Sequence, residues 1–213
     1  MEKRIAKLEK ELRDLKSKVW CSKCEVPFGA MLSDRDILRL IKEGKIKIKP
    51  MPNVEFGNDS DLDTCKVDLH LGEEALLFDA VQVSHIDARE ELSEKYFRKI
   101  NIKKLGKLMI HPGEVIVAVT LEWLTLPDDI SGRMEGKSSL ARKGLSVQAA
   151  PLFDAGWDGR PILELNNVGK LPIIVHFGSP ICAMSFTHLS SPTLKSYDSR
   201  ANSRYKKQRG ARI

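Results

Sequence analysis

Residues 135–167 read EGKSSLARKGLSVQAAPLFDAGWDGRPILELNN. Three local signals follow one another in it: a polar turn flanked by cations, an Asp-Ala-Gly-Trp turn at 154–157, and an apolar run holding one carboxylate. Gly136-Lys137-Ser138-Ser139 predicts a loop that opens a short helical turn, because serine is a good N-cap and Gly144 stands where a left-handed residue ends a helix. Free backbone N–H groups, two hydroxyls and the Lys137 ammonium would converge there on a phosphate. Ser138 and Arg142, four apart, share one face of such a turn. Pro161-Ile162-Leu163-Glu164-Leu165 reads as a strand, and since strand side chains alternate, Glu164 points away from the side of Leu163 and Leu165. In a closed pocket, desolvation raises the pKa of such a carboxylate and makes it a general base or acid, while a nearby Arg142 pulls the other way. On a half-exposed strand the same residue is only a solvated charge.

Working outward, Leu108 to Leu126 is the clearest β region: Ile110, a His-Pro-Gly-Glu turn, then Val115, Val117, Val119 and Leu121 on one face. Residues 171–177 and 180–189 continue it, separated by Gly169 and Gly178. Upstream, Ser33-Asp34-Arg35-Asp36 predicts a capped helix start, with Ile37, Leu38, Leu40 and Ile41 apolar and Gly44 closing it. Residues 45–50 alternate as a strand, 53–64 form a polar loop, and 65–78 return to strand character with Gly72 as a break. The charged, poorly periodic segment 85–106 reads as loop or short helix. Many short strands with Gly and Pro turns, few helices and no βαβ spacing predict a mainly β fold, a barrel or jelly roll.

The chain has 213 residues, 42% of them hydrophobic, enough for one core with an extension. No apolar run approaches the ~18 residues of a membrane span, and Met1-Glu2-Lys3-Arg4 leads into a charged helix instead of a secretory leader. Four cysteines are too few and too unevenly placed for a disulfide framework. These features predict a soluble cytoplasmic protein that makes no membrane contact. The net charge of +6 is concentrated near the C-terminus, where Arg200, Arg204, Lys206, Lys207, Arg209 and Arg212 are interleaved with Tyr197, Tyr205 and Gln208. That spacing suits ordered contacts with one polyphosphate at least as well as nucleic acid, which is the weaker reading. Ile5, Leu8, Leu12, Leu15 and Val19 form a short heptad seam, either a coiled coil or an amphipathic helix lying on the body. Cys21 and Cys24 have the spacing of half a zinc knuckle without its second half, so unpaired thiols rank above an intersubunit disulfide or a shared metal. His111 and His176 lack a carboxylate at a suggestive spacing and are assigned no chemistry.

Five blocks now bear on function together: LSDRDILRLIKEGKIKIKP at 32–50, VDLHLG at 67–72, HPGEVIVAVTLEWLTLPDDISG at 111–132, the 135–167 stretch with the VGKLPI that follows it, and the tail SYDSRANSRYKKQRGA at 196–211. In this order they resemble the trimeric dCTP deaminase and dUTPase superfamily, its deaminase branch most closely, over residues 31–213. The resemblance implies a distorted, jelly-roll-like β-barrel domain at 31–213 whose C-terminal tail closes over the nucleotide, assembled as a homotrimer with sites between subunits. Residues 1–30 are a helical extension outside it. It further implies hydrolytic deamination of dCTP to dUTP and ammonia. The alternative is dUTP diphosphatase activity, alone or in a bifunctional enzyme that yields dUMP and pyrophosphate. By resemblance Glu164 is the catalytic glutamate, and Ser138 and Arg142 hold and polarise the attacking water. Lys137 and Ser139 match phosphate-binding positions, Asp154 the residue that meets the deoxyribose, and Ile162 and Leu163 the strand whose backbone reads the base. Leu140, Ala141 and Trp157 complete the substrate-binding set, and Tyr197, Arg204 and Gln208 fall on tail positions that cover the triphosphate. Mg2+ is implied on the nucleotide phosphates, held mainly by them and by water. No zinc is implied, and the HxE and PCxxC signature of zinc deaminases is missing from the sequence.

Three departures mark this chain. Lys137 stands where the family usually has arginine, which keeps the charge and loses the planar fork. Gln148 replaces the usual histidine. The loop from 148 to 157 is one residue shorter than usual and contains Pro151, which has no N–H to offer. A reading from another class is a nucleotide-binding regulator that recruits a partner through its N-terminal helix.

Overall fold

The computed structural model describes residues 4, 29–55, 59–79, 85–87, 89–90, 92–148, 152–200 and 207–211. The heptad seam, Cys21 and Cys24, residues 149–151 of the shortened loop, and Arg204 lie outside the described residues. One helix of more than a turn opens the described body. α1 (Asp34–Lys42) starts as predicted: the Ser33 hydroxyl accepts the Asp36 N–H at 3.4 Å and Ile37, Leu40 and Ile41 turn into the core. Gly44, at φ 71°, takes the left-handed turn that ends it.

The remainder is antiparallel sheet: β1 (Lys47–Lys49), β2 (Leu62–Asp63), β3 (Lys66–Phe78), β4 (Phe97–Asn101), β5 (Lys107–Ile110), β6 (Val115–Thr120), β7 (Trp123–Thr125), β8 (Ile130–Gly136), β9 (Leu145–Gln148), β10 (Leu152–Phe153), β11 (Asp158–Gly159), β12 (Ile162–Asn167), β13 (Ile173–His176) and β14 (Pro180–His188). The short helical turns α2 (Ile102–Leu105) and α3 (Ser138–Ala141) interrupt it. The main sheet runs β10-β8-β14-β3-β6-β12-β9, with β2 and β4 also on β3, and it curls into half a barrel. Smaller sheets β1-β7-β11 and β13-β5 close its flanks. Leu69, Ile116, Leu124, Leu163, Leu165 and Phe186, all at 0% exposure, fill the inside.

Three sequence readings change. β3 is not broken at Gly72. It runs through thirteen residues, pairing β14 in its first half and β4 in its second. Its register against β6 shifts between Leu71 and Ala75, and a Cβ on Gly72 would lie 2.6 Å from the Thr120 carbonyl oxygen, so the glycine permits a close backbone approach at a bend. Segment 85–106 contains β4, whose alternation is hidden because the strand lies at an edge with Arg98 and Lys99 exposed. The polar loop 53–64 contains β2, two residues anchored by Leu62. Val115 and Val117 do share a face, but it is the outer one, and Ile116 and Ala118 point to the core. No helix among the described residues is long and apolar enough to cross a membrane.

Candidate active site

The outer face of the β6-β12-β9 layer carries the carboxylate singled out above. Glu164 stands opposite Val117 on β6 and Gln148 on β9, while Ile162 stands opposite Val119. Its neighbours Leu163 and Leu165 are fully buried on the other side, so the alternation read from sequence holds. The Glu164 side chain is half-buried. Burial pushes its carboxyl above the usual carboxylate range, and a hydrogen bond from its own backbone N–H works weakly against this. Among the described residues no ion pair reaches it.

Ser138 and Arg142 lie elsewhere in the chain. α3 begins at Ser138, and Lys137, extended at φ −79° and ψ 130°, is its N-cap without a side-chain capping bond. The serines therefore sit within the turn instead of capping it, both exposed, and the Arg142 N–H bonds the Ser138 carbonyl at 3.1 Å. Gly144 is left-handed as predicted, at φ 94°. β9 then runs antiparallel to β12 with Leu145 opposite Asn167 and Gln148 opposite Glu164. α3 thus joins the far end of β9, three residues or about 10 Å along the strand from the Glu164 level. Within one chain Arg142 makes no contribution to the Glu164 pKa, so the opposing pull that a nearby Arg142 would exert is not seen there.

A second group does assemble. The Trp157 N–H bonds the Asp154 carbonyl at 3.0 Å in a turn whose Gly156 has φ 81°, and the Tyr197 N–H bonds the Ala155 carbonyl at 2.9 Å. The Trp157 ring packs at 5.0 Å against Phe153 and at 5.0 Å against Tyr197. Among the described residues its buried Nε1 has no hydrogen-bond partner. Arg200 Nη1 donates to the Asp154 carboxylate at 3.0 Å. Gln208, buried, is held beside β11 by Lys207 N–H to Asp158 O and Arg160 N–H to Gln208 O, each 2.9 Å. Asp154, Trp157 and Tyr197 are therefore brought together, with Gln208 at the next strand.

Two charge clusters on β3 escaped the sequence reading. Asp68 pairs with Lys137. His70 Nδ1 lies 2.7 Å from Glu122 Oε1, its backbone N–H donates to Glu122 Oε2 at 3.0 Å, and its Nε2 lies 3.3 Å from Asp61. The hydrogen bond that the His70 ring donates to Glu122, itself almost fully buried, raises the His70 pKa; burial opposes this, and the charges of Glu122, Asp61 and Asp68 add to the rise. Alternation along VDLHLG does place Asp68 and His70 on one face, but their partners lie 69 and 52 positions away. His111 and His176 are exposed.

The model of the dCTP deaminase-like family matches residues 31–189. The dCTP deaminase of Tolumonas auensis is 41% identical over 188 residues, 84% of this chain and 95% of that one. Those of Rhodospirillum rubrum, 40% identical over 83% of this chain and 92% of its own, and Thermomicrobium roseum, 37% over 84% and 90%, are similar to the same extent. Among solved structures, the 2'-deoxycytidine 5'-triphosphate deaminase of Agrobacterium tumefaciens superposes with a TM-score of 0.56 at 21% identity. That match covers 74% of this chain and only 47% of the other, so the chain spans about half the length of that structure, and the likeness speaks for the fold alone. With the family's model matched over residues 31–189 and 37–41% identity along most of the length of its members, the chain belongs to the dCTP deaminase-like family.

Proposed function

We infer that the protein hydrolyses dCTP to dUTP and ammonia, a reading carried by Glu164: a half-buried carboxylate with a raised pKa and no ion-pair partner among the described residues, on a strand whose other side is core. A water attacking C4 of cytosine must lose a proton, and the amine leaving that carbon must gain one. A single carboxylate whose pKa is raised by burial can take the first and deliver the second. Ser138 and Arg142 would hold this water, the guanidinium stabilising the charge that develops as it attacks. Lys137 and the turn at 138–141 would take the phosphates, Asp154 the sugar, and the backbone of Ile162 and Leu163 the base, with Tyr197, Arg204 and Gln208 closing the tail.

The placement of Arg142 beyond the Leu145 end of β9, while Glu164 faces Gln148 at the other end, supports a site completed by a neighbouring copy, consistent with a homotrimer. Mg2+ enters with the triphosphate: among the described residues no group of three or more His, Cys, Asp and Glu could hold an ion. Such an ion would be held mainly by nucleotide oxygens and water. We assign the protein to the cytoplasm.

A second reading, dUTP diphosphatase activity, rests on the shortened loop and on Asp154, which by resemblance matches the superfamily's water-activating aspartate and is partly exposed beside Arg200. One assay separates them: dCTP and dUTP are each supplied with Mg2+, and ammonia and pyrophosphate are followed together. Ammonia from dCTP is expected, lost in Glu164→Gln while nucleotide affinity stays within about tenfold, since the amide keeps the shape and cannot accept a proton. A folded wild-type protein that releases no ammonia overturns the assignment.

A further inference from the structure

Asp68 faces away from the buried side of β3 formed by Val67, Leu69 and Leu71. The sheet sets what it can reach. Asp68 is opposite Ala183 on β14, and Ala183 is opposite Glu135 on β8, so Lys137, two residues past Glu135, can return over β14 to β3. Its Nζ sits on an Asp68 carboxylate oxygen. The side chains are 25% and 17% exposed, whereas the nearby Arg133–Glu135 pair is open at 59% and 64%. Asp68 is itself anchored, its backbone N–H donating to the Asp61 carbonyl at 2.7 Å, and Asp61 together with Glu122 grips His70 beside it. The carboxylate is part of a built layer, not a loose surface chain.

Lys137 needs such an anchor. Its charge is a compact ammonium on a flexible four-carbon stem, without the fork that lets arginine match a phosphate by shape. Ordering the stem when a ligand arrives costs conformational entropy, which is avoided if the stem is already held. An ammonium has three N–H donors, so one spent on Asp68 leaves two for phosphate oxygens. The carboxylate also offsets part of the cation's pull on an anion. Partial burial decides the balance, because an ammonium without a partner in this layer would be driven outward to water, away from the turn it precedes.

We propose that Asp68 is the positioning residue for Lys137, orienting its ammonium toward the polyphosphate of the nucleotide and so setting substrate affinity without taking part in the chemistry. The proposal rests on the reading of Lys137 as a phosphate ligand. Steady-state kinetics on the full chain test both, following whichever of ammonia or pyrophosphate the wild type releases. Asp68→Asn should raise KM about tenfold with kcat within about twofold, the signature of lost ground-state binding. Asp68→Glu, which keeps the charge, should bring KM back to within about threefold of wild type, and it serves as the variant of record if the asparagine does not fold. In the Lys137→Met background, itself raised in KM, Asp68→Asn should add less than about twofold, because a residue that acts through another has nothing left to act on. An unchanged KM in Asp68→Asn, a fall in kcat alone, or the same tenfold effect in both backgrounds overturns the proposal. If Lys137→Met leaves KM unchanged, the phosphate reading of Lys137 fails first and the proposal with it.

Discussion

His70 shows how one residue ties this protein's stability to pH. The bond it donates to Glu122 raises its pKa above the usual 6.5, with Asp61 and Asp68 contributing and burial opposing. A group whose folded pKa exceeds its unfolded one stabilises the fold fully below the unfolded value, and that stability is lost as pH rises through the folded value. The thermal midpoint of the wild type should therefore fall, as pH is raised past 6.5, relative to that of His70→Arg, in which the charge persists. The slope of the difference is the readout, not its offset, and parallel profiles would show that His70 does not change charge in this window. Nothing in the local sequence announces this role. DLH is an unremarkable strand fragment, and it takes the approach of the 120–123 turn to bring Glu122 over His70.

At the level of elements, β3 is the strand on which the sheet depends, since β14, β2, β4 and β6 all pair with it. Gly72 is where it bends from one set of partners to the other, and the Thr120 carbonyl occupies the space a side chain would need. Gly72→Ala should cost about 1–3 kcal/mol in denaturant unfolding, the usual penalty of forcing a methyl into packed surroundings that cannot yield. A variant as stable as wild type would mean that the backbone gives way there easily. The element boundaries explain what was legible. α1 was readable from Ser33 through Gly44 because cap, apolar spacing and stop signal are all local. β4 was not, because an edge strand with charged outer residues lacks the alternation that marks a half-buried one.

For the molecule as a whole, the question is where a complete site arises. Glu164 lies at one end of the β9-β12 pair and Arg142 beyond the other. If neighbouring copies supply the two halves, inactive Glu164→Gln and Arg142→Ala proteins, unfolded and refolded together, should regain a fraction of wild-type activity, because some interfaces then combine two intact halves. Activity no greater than the sum of the separately refolded variants would place both residues in one chain's site. Light scattering on the mixture checks that assembly occurred.

Five ordered blocks carried the family by resemblance, while alternation, turn residues and caps settled much else from sequence alone: a mainly β chain, α1, the strand bearing Glu164 with its carboxylate turned from the core, and the left-handed Gly144. Each is set by residues a few positions apart, so periodicity can report it. Only tertiary structure decided that Lys137 rests on Asp68, that His70 bridges Glu122 and Asp61, that Arg200 meets Asp154, and that Arg142 stands apart from Glu164. Those pairings join positions tens of residues apart, or hold them separate, through strand order and register. A one-residue slip turns every side chain of a strand to the other face, and no local pattern specifies which strand will lie alongside.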